Sequence, residues 1–119
     1  MKNERRKYPR INLAGEVSIL VSGVFRTGIL TNVSPSGIQV ECGRRLIEQL
    51  NQFRSEAGLL PEFELEFTLP TGVPVKASCN VSYCRRLSAD SYNLGLNFTR
   101  LSRLDEERVD EFIHHAVAA

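Results

Sequence analysis

Cysteine is scarce in this chain, charge of one sign is nearly absent in the balance, and no apolar run is long enough to cross a bilayer. Each shortage removes a class of protein. Cys42, Cys79 and Cys84 are odd in number and form no C-x-x-C pair, so neither a disulfide framework nor a zinc knuckle is expected. Three core thiols in a reducing cytoplasm are the expectation instead. The two histidines, His114 and His115, are adjacent and point different ways on a helix, with no cysteine or acid at ligand spacing nearby, so no metal site is read from them. A net charge of +1 excludes a polycation that wraps a nucleic-acid duplex. The first residues are charged, with no apolar segment behind them, so no secretory signal is expected. Nothing groups a nucleophile with a base, and Glu62, Glu64 and Glu66 read as one solvated strand face, so neither an enzyme nor a cofactor is expected.

What the chain does have is alternation. Its 119 residues, 42% of them hydrophobic, suffice for one domain with one core. Ile11, Leu13, Val17, Ile19 and Val21 share one strand face, with Asn12, Glu16 and Ser18 on the other. Ser22-Gly23 marks a turn, and a second strand is expected from Phe25 to Thr31. A loop over residues 31–37 follows, with Pro35 second in a turn and Gly37 closing it in the left-handed conformation. Ile38, Val40 and Cys42 then face inward on a third strand, opposite Gln39 and Glu41.

After Gly43 the period changes. Leu46, Ile47, Leu50 and Phe53 predict an amphipathic helix of about three turns, a lid on one end of a barrel. Phe63, Leu65, Phe67 and Leu69 define a fourth strand. Beyond the Pro70-Thr71-Gly72 turn, a fifth strand points Val73, Val75, Ala77, Cys79, Val81 and Tyr83 inward, which makes Tyr83 a core residue. Arg85 to Ser91 reads as a polar connection, and Tyr92, Leu94, Leu96 and Phe98 as a sixth strand. Ser102 is an expected helix N-cap with acids in the first turn behind it. Leu101, Leu104, Val109, Phe112, Ile113 and Ala116 form the apolar stripe of that helix, which packs on the barrel or on another copy of the chain. The expected fold is therefore all-β: a six-stranded antiparallel barrel, a helix inserted between strands 3 and 4, and a C-terminal helix.

Charge is unevenly placed. Residues 1–10 carry five Lys/Arg against one Glu, while the rest of the chain has an acidic excess. A basic arm on an acidic body suits a small anionic ligand better than a duplex. Arginine is the better residue for the purpose, because its planar fork grips paired phosphate oxygens and also matches the O6/N7 edge of guanine. Within the loop, Asn32 offers an amide to a guanine edge, Ser34 a hydroxyl, and Gly37 an approach without a side chain.

Arg6 and Arg10 stand at the spacing RxxxR, and Asn32, Ser34 and Gly37 at [DN]xSxxG between two strands. The second pattern would occur by accident in roughly one chain of this length and composition in twenty. Asn93-Leu94-Gly95-Leu96-Asn97-Phe98 follows downstream. In this order the motifs resemble the signature of a PilZ domain, a bacterial module that binds the second messenger cyclic di-GMP. The resemblance implies that residues 1–10 are a flexible arm on a PilZ β-barrel spanning 11–119. It implies that Arg6 and Arg10 contact phosphate and guanine, with Arg5 an adjacent third candidate, and that Asn32 and Ser34 contact the purine while Gly37 keeps the loop close. It also places an aromatic near Tyr83 against guanine, a role that strand parity argues against here. The implied function is a stand-alone receptor whose arm closes on the barrel and changes a surface read by an effector protein. A PilZ-like barrel that binds no nucleotide and acts only as a protein adaptor is the alternative. No DNA, RNA or membrane partner is expected, and a homodimer through the C-terminal helix is left open.

Overall fold

The computed structural model describes residues 10–118. Six strands, β1 (Ile11–Val21), β2 (Val24–Ser34), β3 (Gly37–Gly43), β4 (Phe63–Thr68), β5 (Pro74–Arg86) and β6 (Ser91–Leu101), form a closed barrel in the order β1-β2-β3-β6-β5-β4. Every pairing is antiparallel, and β4 returns to β1 to close the wall. Closure leaves no free strand edge, which removes the usual route to edge-to-edge aggregation. The chain is thus an all-β barrel with two helices.

Turn chemistry sets the hairpins. Ser22 and Gly23 both have positive φ, 48° and 82°, the conformation of the two-residue turns that match strand twist, and Val21 pairs Val24 across them. The second strand runs further than alternation suggested. Residues 31–34 belong to β2, and only Pro35 and Ser36 separate the paired Ser34 and Gly37. Gly37 is accordingly in strand geometry and not among the positive-φ glycines, contrary to the expected turn closure.

The core is the inward face of all six strands, with Val17, Ile19, Leu30, Val40, Phe67, Val75, Leu94 and Leu96 almost fully buried. Phe67 and Phe98 stack with ring centroids 6.5 Å apart. Helix α1 (Arg44–Gln52) closes the end of the barrel at the β1–β2 turn by burying Leu46 and Leu50. Gln49, buried beside them, is satisfied: its Nε2 donates to the Val21 carbonyl at 2.8 Å, and Arg26 Nε donates to its Oε1 at 2.8 Å. Phe53, expected on the same stripe, lies beyond the last helical turn and is exposed.

Helix α2 (Arg103–Ala118) covers the opposite end, with Val109 and Ile113 as the buried plugs. Its N-cap is Ser102, whose Oγ accepts from Asp105 N at 3.0 Å. Leu104 departs from the expected stripe and is 55% exposed. Cys84 departs from the expected core and is exposed at the far end of β5, whereas Cys42 and Cys79 are buried. Burial pushes the Cys42 and Cys79 thiols up to about 12, with the nearby Cys84 and Glu41 adding to the effect on Cys42 and Glu62 on Cys79. Two of the three thiols are therefore inert core groups at neutral pH. No described helix is long and apolar enough to cross a membrane.

Candidate functional site

Two irregularities of register bring the polar residues together. Along β2, Leu30 pairs Val40 and Asn32 pairs Gln39, so Thr31 is an extra residue. That extra residue puts Asn32 on the outer face of the wall, where it is 8% exposed and in contact with Arg10 and Gln39, while Leu30 and Val33 both stay in the core. Along β5, Val81 pairs Leu96 and Tyr83 pairs Gly95, so Ser82 is the extra residue. Ser82 Oγ donates to the Gly95 carbonyl at 3.0 Å, which gives the bulge a fixed anchor. Tyr83 is thereby sent outward and is 39% exposed, which corrects the reading of it as a core tyrosine. Strict alternation from Val75 to Tyr83 fails at one residue.

The result is a continuous row across four strands of the outer wall. Asn32 pairs Gln39, Gln39 pairs Gly95 and Gly95 pairs Tyr83. Side chains follow the same order. Arg10 Nη1 donates to Asn32 Oδ1 at 3.3 Å, and Asn32 Nδ2 donates to Gln39 Oε1 at 2.5 Å. Gln39 Nε2 donates to the Tyr83 hydroxyl. Gly95 is the bare position beneath: a Cβ built there would lie 2.5 Å from Tyr83 Cδ2 and 2.7 Å from its Cζ. The tyrosine ring therefore lies flat over a glycine, as only a residue without a side chain permits. In the next row along β6, Asn93 Oδ1 is buried without a hydrogen-bond partner among the described residues.

Ser34 and Gly37 serve the hairpin behind this row. Ser34 is 3% exposed; its Oγ donates to the Gly37 carbonyl at 3.3 Å and accepts from Ser36 N at 3.3 Å. Gly37 passes so close to β6 that a Cβ would sit 3.0 Å from the Leu96 carbonyl carbon and 3.2 Å from Asn97 Cα. Ser36 adds a link of its own, its carbonyl accepting from Phe98 N at 2.9 Å. The turn is thus clamped to β6, and that clamp holds Asn32 at the mouth of the row.

Of the expected site residues, the structure brings Arg10 and Asn32 into contact and places Ser34 and Gly37 in the supporting turn. Arg5 and Arg6 lie outside the described residues, as does the expected flexible arm apart from Arg10. Gln39 is not among the expected site residues, and Gly95 is expected only as part of the Asn93–Phe98 strand motif. The outward side of Gln39 is legible between buried Ile38 and Val40, but its partners across the sheet are not. No cluster of His, Cys, Asp or Glu suited to a metal occurs among the described residues.

A closed six-stranded barrel carrying an arginine and an [DN]xSxxG hairpin on one wall defines a class of small β-barrel domains. A PilZ domain profile matches residues 4–115, and the chain belongs to the PilZ domain family. Solved structures agree on the fold. The inhibitor of motility MotI/DgrA of Bacillus subtilis is similar over 99% of this chain and 54% of its own, with 16% identity and a TM-score of 0.77. The PilZ domain of YcgR from Escherichia coli, solved with c-di-GMP, is similar over 94% of this chain and 91% of its own, at 13% identity and a TM-score of 0.66. PlzA of Borreliella burgdorferi, in complex with c-di-GMP, is similar over 96% of this chain and 53% of its own, at 9% identity and a TM-score of 0.67. The chain spans about half the length of MotI/DgrA and of PlzA. No curated protein matches it.

Proposed function

We propose that this chain is a receptor for cyclic di-GMP, binding it on the outer wall formed by β2, β3, β6 and β5. The observation that carries the reading is the row Arg10–Asn32–Gln39–Tyr83 laid over Gly95. A guanine needs donors for O6 and N7, acceptors for its N–H groups and a flat face to lie against. The arginine fork and the two amides supply the first two, and the tyrosine ring supplies the third. Asn93 Oδ1, an acceptor without a partner among the described residues, lies one row further along the same wall. Leaving such a group unmade costs roughly 1–3 kcal/mol, which a donor from a ligand would relieve.

In this reading Arg5, Arg6 and Arg10 neutralise the two phosphodiester charges, and closure of the arm over the wall changes the surface offered to an effector protein. Ser34 and Gly37 fix the hairpin that presents Asn32. Family members in complex with c-di-GMP share the fold, which supports the choice of ligand. The chain acts by binding and not by catalysis, in a cytoplasmic setting where the second messenger is made.

Calorimetric titration with cyclic di-GMP tests the proposal, with cyclic di-AMP and GTP as controls. Micromolar or tighter binding is expected for the guanine dinucleotide and much weaker binding for the adenine analogue, which lacks the O6 acceptor. Equal affinity for both would reduce the site to phosphate attraction. No binding of any of the three would leave the chain as a protein adaptor.

A further inference from the structure

Hydrogen bonds have a direction, and in the row Arg10–Asn32–Gln39–Tyr83 the chemistry of the side chains fixes it from one end. A guanidinium donates only and has no acceptor to offer. Arg10 can therefore meet Asn32 only at its carbonyl, and Nη1 lies 3.3 Å from Oδ1. With Oδ1 turned to the arginine, the Asn32 amide nitrogen faces Gln39 and donates to Oε1 at 2.5 Å. The step repeats along the second amide. Gln39 has its carbonyl taken by Asn32, so it is Nε2 that it turns to Tyr83. The phenol oxygen is thus an acceptor in this row, and its own hydrogen cannot point back along it. The amides of Asn32 and Gln39 pass the polarity of Arg10 across the sheet to Tyr83.

That hydrogen is uncommitted. Among the described residues the Tyr83 hydroxyl bonds only to Gln39, and there it accepts. Gly95, beneath the ring, has no side chain to take the hydrogen, and the adjacent Ser82 Oγ is turned to the Gly95 carbonyl. Conjugation keeps a phenol hydrogen close to the plane of its ring. The ring lies flat over Gly95, so that plane runs along the wall. A base stacked on the free face of the ring sits above the plane and cannot take the hydrogen. An acceptor at the rim of the ring can.

We propose that Gln39 is a positioning residue that holds the Tyr83 hydroxyl as a donor to a phosphodiester oxygen of the bound cyclic dinucleotide. This role rests on the cyclic di-GMP reading and adds a polar contact to it, since the ring takes the base while its hydroxyl takes the sugar–phosphate rim. Donors then stand at both ends of the row, the Arg10 fork at one and the phenol at the other, as an anionic ring requires. A carboxylate at position 39 would do the opposite. It would accept from Asn32 and from the phenol alike, and the Tyr83 hydrogen would be spent inside the protein. The row therefore requires an amide here, although the next outward residue of β3, Glu41, is an acid.

Cyclic di-GMP affinity is measured by calorimetry for the wild type, Tyr83→Phe, Gln39→Glu and the double variant, each checked by thermal melting. Tyr83→Phe keeps the stacking face, so the expected loss is that of a hydrogen bond to a charged group, roughly tenfold or more. Gln39→Glu should also weaken binding, and in that background Tyr83→Phe should cost less than about twofold. A charge effect alone would leave the Tyr83→Phe penalty at full size. The penalty should also shrink on one of the two bis-phosphorothioate analogues, Rp,Rp or Sp,Sp, in which sulfur replaces the accepting oxygen. In the ligand-free protein, nitrogen–proton NMR reads the polarity itself, and the Gln39 Nε2 protons should move upfield in Tyr83→Phe. Wild-type affinity in Tyr83→Phe, a penalty undiminished by Gln39→Glu, equal penalties on both phosphorothioates, or unmoved Gln39 signals would overturn the assignment. Failure of the nucleotide reading looks different. The wild type and every variant would then fail to bind cyclic di-GMP, and the hydroxyl's role would fall with it while the Gln39 shift persisted.

Discussion

Replacing Gly95 by alanine separates the proposed ligand platform from the fold. The added Cβ would lie 2.5 Å from Tyr83 Cδ2 and 2.7 Å from its Cζ, whereas carbon atoms in contact sit about 3.5–4.0 Å apart. The ring must therefore withdraw by about 1 Å or more. It can do so, because it is the far end of a partly exposed side chain and no backbone has to move with it. The stability cost is then the exposed Gln39–Tyr83 hydrogen bond, roughly 1 kcal/mol, partly offset because alanine is less costly than glycine in a strand. Melting should shift by only a few degrees. Binding should suffer more, because stacking of a base on an aromatic ring is worth about 1–3 kcal/mol. At about 1.4 kcal/mol per decade, that is roughly a 5- to 150-fold loss of cyclic di-GMP affinity by calorimetry. Tyr83→Ala should lose a similar amount, and the double substitution little more than either alone. Unchanged affinity in Gly95→Ala would refute the platform, and collapse of the fold would show that Gly95 accommodates more than the ring. Gly37→Ala is the contrasting control. There the Cβ would meet the backbone of Leu96 and Asn97, which cannot swing away, so at least about 2 kcal/mol of stability and about 10 °C or more in Tm should go.

Other tests bear on the turn, the arm and the core. Ser34→Ala removes one donor and one acceptor within the β2–β3 hairpin, so it should cost the ligand-free protein about 1 kcal/mol in thermal melting; an unchanged melt with weakened binding would instead give the hydroxyl to the ligand. Arg10→Lys keeps the charge but loses the planar fork, and binding should fall even at low salt. Binding that merely becomes more salt-sensitive would mean diffuse attraction. Cys79, whose pKa burial pushes up to about 12 from 9.0, contributes stability that is fully present below pH 9 and lost as pH rises towards 12. The expected slope is about 1.4 kcal/mol per pH unit for that thiol, and Cys79→Ala should melt with a visibly shallower alkaline decline. An identical decline in both proteins would place the alkaline sensitivity elsewhere.

The barrel was legible in the sequence because its strands are half-buried and their alternation is strong. Phe63 to Thr68 reads buried and exposed in strict turn, and the structure reproduces it residue for residue. The helix ends were less legible. Phe53 and Leu104 keep helical spacing with the apolar stripes, but they lie at the helix ends, where the barrel no longer reaches them. Gly37 carried the right identity and the wrong reason. A glycine beside proline and serine suggests a turn conformation, and only the register of β3 on β6 reveals that it is needed for a backbone approach.

The proposed platform depends on two of the places where strand register slips, one in β2 and one in β5. Inward residues in a regular strand recur every second position. In β2, Leu30 and Val33 are both fully buried although three positions apart, which is impossible without an extra residue between them. That slip is what turns the polar Asn32 outward. In β5 the inward run Val75, Ala77, Cys79 reaches half-buried Val81, and the extra residue Ser82 then leaves Tyr83 outside. Without either slip the Asn32 amide and the Tyr83 ring would point into the core, where a polar amide would cost several times what its hydrogen bonds return. A ligand wall on a small closed barrel needs polar and aromatic groups out of phase with the core. In the proposed reading the two bulges supply such groups, and a third-position repeat of apolar residues beside an [DN]xSxxG hairpin marks the one in β2.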